Sequence, residues 1–147
     1  MIIRKCAGGI VFHNNKVFIL KNDKGHWVLP KGKIRNGSLA VETALKRVKV
    51  EGGVEGTIIS TAGETSYEFY SLSRKQPVYN FITWYIMESQ SDVFKINRDL
   101  GFQDGGFFPI EEAMEKITHN QDKSLVNLSF KKYLEIKEMD EIKEVYV

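Results

Sequence analysis

The chain has 147 residues, of which 42% are hydrophobic and 12% aromatic, and this suits one soluble globular domain over residues 1–147 with a real core. Its net charge of +2 is too small to argue for nucleic acid by itself. No apolar run approaches the roughly 20 residues of a membrane span. Cys6 is the only cysteine, so an intrachain disulfide is excluded; a cytoplasmic location and a buried thiol are expected. Residues 1–5 lack the apolar stretch of a signal peptide.

Residues 2–12 are β-rich and end at His13-Asn14-Asn15-Lys16, where Asn tolerates the positive φ of a tight hairpin. Residues 17–20 form the return strand. Asp23-Lys24-Gly25 is a loop, and Trp27-Val28-Leu29-Pro30 leads into a second loop bounded by Gly32 and Gly37. Those glycines let backbone N–H groups approach a ligand. Ser38 is the expected N-cap of a helix that runs to about Val50 and ends at Gly52-Gly53. Its apolar stripe is Ala40, Ala44, Leu45 and Val48.

Residues 54–60, 67–70 and 78–87 read as strands, with a loop over 71–77. The last of these strands is aromatic and β-branched throughout, as expected of a central strand buried on both faces. Residues 89–106 are polar and irregular. Phe107-Phe108-Pro109 leads into a short helix over 110–117. A final helix runs from near Asn120 towards Glu144, with Val126, Phe130, Tyr133 and Leu134 as its packing face. Beyond Met139 the charges alternate and fraying is expected. The pattern predicts an α/β fold, an α/β/α sandwich with a mixed β-sheet between helices. No internal repeat, low-complexity linker or nucleic-acid module is present. The oligomeric state is not encoded in any feature of the chain.

The most informative stretch runs from Gly32 to Val54. It resembles a Nudix box, whose pattern is Gly, five residues, Glu, seven residues, Arg-Glu-aliphatic-any-Glu-Glu-any-Gly-aliphatic. Gly32, Val48, Glu51, Gly53 and Val54 match it. Ser38 stands at the first Glu, Lys46 at the Arg, Arg47 at the next Glu and Val50 at the first Glu of the pair. The flanks add to the likeness. Trp27-Val28-Leu29-Pro30-Lys31-Gly32 is similar to the Trp-x-x-Pro-Lys-Gly segment of the subgroup that cuts diadenosine tetraphosphate and diphosphoinositol polyphosphates. Phe107-Phe108-Pro109-Ile110-Glu111-Glu112-Ala113 resembles that subgroup's aromatic-x-Pro-aliphatic-x-Glu-Ala step.

The resemblance implies hydrolysis of phosphoanhydride bonds in nucleoside diphosphate-linked or dinucleoside polyphosphate substrates, with Mg²⁺ or Mn²⁺ held by carboxylates. Positions 47, 50, 51 and 54 share one helical face. The family places three Glu there; this chain has Arg47, Val50 and Glu51. A unit positive charge about 5 Å from a dication costs up to roughly 6–7 kcal/mol at an effective dielectric of about 20. Weak or lost activity is therefore expected, and no residue is assigned as catalytic.

Glu51 is left as a weak metal ligand or as the ion-pair partner of Arg47. Glu64, Glu68 or Asp104 would contribute only if the metal site has been rebuilt. Lys31, Lys33 and Arg47 are the candidate phosphate-binding residues. The alternative function is a non-catalytic module, a pseudoenzyme, that binds a phosphorylated small molecule or nucleotide in a basic cleft without metal. Trp27, Tyr67 and Tyr79 are candidates for stacking on a base or for core packing.

Overall fold

The computed structural model describes the backbone of residues 1–146 and the side chains of residues 1–145; Val147, the end of the expected 1–147 domain, lies outside the described residues. Among the described residues, seven strands form one sheet: β1 (Ile2–His13), β2 (Lys16–Lys21), β3 (Trp27–Val28), β4 (Lys31–Lys33), β5 (Thr57–Ser71), β6 (Gln76–Glu88) and β7 (Asp104–Pro109). The order is β3-β2-β1-β6-β5, with β4 paired to β1 and β7 to β2. β1 and β6 run parallel from Ile2↔Val78 to Phe12↔Glu88, and the other pairs are antiparallel, so the sheet is mixed. The β1–β2 hairpin turns at Asn14, whose φ is 53°.

Period-two alternation sends β1 side chains to two different cores. Cys6, Ile10 and Phe12 pack with Trp84, Val126 and Tyr133 under α2 (Ile110–Lys116) and α3 (Asn120–Tyr146). Ala7 and Val11 pack with Phe18, Ala44 and Val48 under α1 (Ala40–Gly52). This is the expected α/β/α sandwich. Phe12 and Phe18 are fully buried, each worth about 1.5–3 kcal/mol relative to exposure. α1 approaches β2 so closely that a Cβ on Gly52 would lie 2.3 Å from the Phe18 ring.

Several local expectations are corrected. Leu39, not Ser38, is the N-cap of α1. The Ser38 N–H is drawn into the preceding turn by the Arg35 carbonyl at 3.0 Å, and the Glu42 carboxylate instead accepts the Leu39 N–H at 3.3 Å. Residues 57–71 are one strand, not two. Bulges at Ile58/Ser60 and Thr61/Gly63, with Gly63 at φ 121°, absorb the polar stretch while the ladder to β6 continues. β6 is central but buried on both faces only over Trp84–Met87. Further back Phe81 is 40% exposed, because α1 covers only the far half of that face. On α3, Leu134 is exposed, and Leu125 and Ser129 join Val126 and Tyr133 in the buried set. Eight residues on from Val126 is about 80° around the helix, off the packing stripe. α3 continues to Tyr146, and residues 138–145 are all exposed.

Candidate functional site

β4 delivers the chain to the loop before α1, and α1 returns over it. Gly32 sits directly beneath Arg47: a Cβ there would lie 2.6 Å from Arg47 Cδ. The bare glycine lets the Arg47 stem lie against the strand and reach along its own helix. Arg47 Nε donates to Glu51 Oε2 at 2.8 Å. The Lys31 main chain beside it also favours the ionised carboxylate. Loop 90–100 seals the end of the helix. Lys95 N–H bonds the Gly52 carbonyl at 2.8 Å, and Asn97 N–H bonds the Glu51 carbonyl at 3.0 Å. Glu51 is left 3% exposed. Burial raises its carboxyl to about 7 against the pull of Arg47 and Lys31. The Arg47–Glu51 ion pair is formed in the structure.

The donors here do not fit a hard dication, which needs several clustered oxygens. Glu51 is a single carboxylate already bonded to a guanidinium, and Val50 offers none. The three acids considered for a rebuilt site stand apart from it. Glu64 is in register with Thr83 and so with Ala7, on the α1 face, but it is exposed. β5 lies three strand spacings from β4, roughly 14 Å. Glu68, opposite Tyr79, is farther along the same exposed strand. Asp104 is on β7, beyond β2, where it pairs with Lys21 and accepts the Gly105 N–H at 2.8 Å. Among the described residues no group of three or more His, Cys, Asp or Glu could hold a metal ion.

On the other face of the sheet lies a cavity of about 830 Å³, a size that suits a small-molecule ligand. Its floor is β1, β6 and β5, through Arg4, Asn80, Ile82, Thr65, Tyr67 and Phe69. Residues 118–122 at the start of α3 form one wall, and Asn22, Lys24 and His26 form another. Lys31 joins this cavity to the box helix. Its main chain lies beside Glu51, while its side chain lines the cavity 5.7 Å from the Tyr67 ring centroid. Arg4, Lys24 and Lys31 outnumber the one acid, Asp122, whose carboxyl is pushed up by burial against the pull of His119 and Lys31.

Lys33 is exposed on the same short strand and is not part of the lining. Arg47 lies at the box helix, outside the cavity, with 27% of its side chain exposed. Of the three aromatic candidates, only Tyr67 faces the cavity. Trp27 packs edge-on against Phe108 beneath Lys116, and Tyr79 bonds Ser66 and packs on Phe81. Sequence reasoning missed Arg4, Asn80 and Phe69. Asn80 carried a signal: it is the polar residue in the inward phase set by Val78 and Ile82.

The chain matches the model of the NUDIX domain over residues 3–128. It is 26% identical over 105 residues to a Mycobacterium tuberculosis protein named as a mutator protein, MutT4, a match covering 70% of this chain. The matched part is 40% of that relative's length, so the chain spans about two fifths of it. The structure superposes on an Ap4A hydrolase binary complex from C. elegans with a TM-score of 0.66 and 17% identity, covering 89% of this chain and 97% of that one. It superposes on the E. coli dihydroneopterin triphosphate pyrophosphohydrolase with a TM-score of 0.69 and 13% identity, covering 86% and 95%. At these identities the two structures share the fold.

Proposed function

This chain belongs to the NUDIX domain family, and from that premise we propose that it is a binding module for a phosphorylated small molecule or nucleotide. Metal-dependent cleavage of phosphoanhydride bonds, the reaction its likeness implies, is weak or lost. The observation that carries this reading is the Arg47–Glu51 pair, 2.8 Å apart with the carboxylate buried, at the place where the family pattern gathers its glutamates. Pairing replaces coordination: the residue best placed to hold Mg²⁺ or Mn²⁺ holds a guanidinium instead. A cofactor requirement for either ion would follow only if cleavage survives.

The ligand sits in the basic cavity with its phosphates towards Lys31. Arg47, on the α1 face and committed through Nε to Glu51, and exposed Lys33 add long-range attraction. The names of the two superposed proteins, one acting on a dinucleoside tetraphosphate and one on a pterin triphosphate, support a polyphosphate ligand. No helix among the described residues is long and apolar enough to cross a membrane.

Calorimetry with EDTA present tests the proposal, using diadenosine tetraphosphate, nucleoside triphosphates and tripolyphosphate. Expected is saturable binding without metal, weakened about tenfold or more by Lys31→Ala, the loss of one charged hydrogen bond. Failure of every phosphorylated compound to bind overturns the reading.

A further inference from the structure

We propose that two copies of this chain associate through the bare half of the sheet face that carries α1, as a symmetric dimer in which Lys5 of each copy meets Glu68 of the other. The surface is independent of the ligand cavity, which lies on the opposite face. Strand register assembles it. β1, β6 and β5 place Lys5, Phe81 and Ser66 in one row and Ile3, Tyr79 and Glu68 in the next. Period-two alternation sends all six away from the cavity, because the intervening Arg4, Asn80 and Tyr67 line it. At the far end of the same face Ala7, Tyr85 and Met87 pack beneath Ala44 and Val48 of α1. The two rows beyond that cover lie open: Ile3 is 60% exposed and Phe81 40%, and Tyr70, next on β5, is 59% exposed.

Clustered apolar side chains in the open mark a contact surface. Tyr79 and Phe81 are already fixed against each other, with ring centroids 4.7 Å apart, and the Tyr79 hydroxyl donates to Ser66, so association costs them little further freedom. The charges decide what the surface fits. Lys5 and Glu68, both exposed, flank the aromatic pair on opposite sides, separated by two strand spacings, roughly 10 Å, and offset by one row. Among the described residues neither takes part in an ion pair within the chain. Opposite charges on either side of an apolar centre are self-complementary. A two-fold axis lying in the interface, perpendicular to the Lys5–Glu68 line, exchanges the two positions and sets each lysine over the partner copy's glutamate. The same operation crosses the sheets steeply, near the orthogonal class of sheet packing. Each α1 then stands beside the partner copy's β5, the free edge of the sheet, and not over its strands. An anionic lipid surface fits less well, because Glu64 and Glu68 are exposed on this face and would repel it. The face is smaller than the roughly 800 Å² per partner of a standard interface, so dissociation in the micromolar range is expected.

Sedimentation velocity on the full chain, from micromolar to several hundred micromolar, tests the proposal. A reversible monomer–dimer equilibrium is expected. Lys5→Glu and Glu68→Lys each create two like-charged pairs in the symmetric interface and are expected to weaken the dimer about tenfold or more. Combining them restores opposite charges, and the double variant is expected to recover the dimer. Phe81→Ser empties the aromatic centre and is expected to leave a monomer. If that variant loses its fold, as read by Tm, the charge reversals decide. A monomer at every concentration overturns the inference. So does a dimer indifferent to Phe81→Ser or to the single reversals, which places the contact on another surface such as the β5 edge. Single reversals that weaken the dimer without recovery in the double variant overturn the Lys5–Glu68 pairing and the symmetry built on it.

Discussion

Replacing Glu51 by glutamine should stabilise the protein, and increasingly so as pH rises. The carboxyl of Glu51 titrates at about 7 in the fold against 4.5 for the unperturbed group. Below pH 4.5 it is protonated in both the folded and unfolded states and its contribution does not change. Between 4.5 and 7 the unfolded chain has released the proton and the fold still holds it, so stability falls with rising pH. Above 7 both states are ionised and the loss is complete. Each pKa unit corresponds to about 1.4 kcal/mol, so the 2.5 units between 4.5 and 7 amount to about 3 kcal/mol. Glutamine keeps an oxygen for Arg47 Nε but does not titrate. Urea denaturation of both proteins from pH 4.5 to 8.5 reads the difference directly, since all other titrations cancel. The variant should match the natural protein within about 1 kcal/mol at pH 4.5 and exceed it by about 3 kcal/mol at pH 8. A pH-independent difference, or a variant less stable at pH 8, would refute the claim that burial outweighs the Arg47 pair.

Two further outcomes follow from the same geometry. Arg47→Glu with Val50→Glu places three carboxylates on one helical face with Glu51. This double variant should bind Mn²⁺ below about millimolar and cleave diadenosine tetraphosphate orders of magnitude faster than the natural chain, each tenfold marking about 1.4 kcal/mol of transition-state stabilisation. A gain of less than about tenfold would show that the natural chain already cleaves through other residues. Gly52→Ala drives a methyl group to 2.3 Å from the fully buried Phe18 ring and should cost about 3 kcal/mol in urea denaturation. A loss under about 1 kcal/mol would mean that α1 does not press on β2 as described.

The elements were legible where local chemistry decides them. Asn14 carries the positive φ its position suggested, Gly53 ends α1 at φ 63°, and the stripe through Ala44 and Val48 faces the sheet. The unity of β5 was not legible, because a strand can carry polar residues through bulges when its partner supplies the backbone ladder. Ser38 was misread as a cap because the Gly37 turn, at φ 85°, claims its N–H first. At the site, the Arg47–Glu51 pair could be read from its i, i+4 spacing. The cavity could not. Arg4 and Asn80 are 76 positions apart in the chain, and only the parallel β1–β6 register makes them neighbours. The fate of Glu64, Glu68 and Asp104 was likewise a matter of strand order, which local pattern does not reveal.

An ion pair that has displaced the dication leaves no site for Mg²⁺ or Mn²⁺, and calorimetric titration of either ion into the protein, with and without diadenosine tetraphosphate, measures this. No site-stoichiometric metal binding is expected below about millimolar, while diadenosine tetraphosphate still binds with EDTA present. One equivalent of either ion bound more tightly than that, in the presence or absence of the nucleotide, would contradict it.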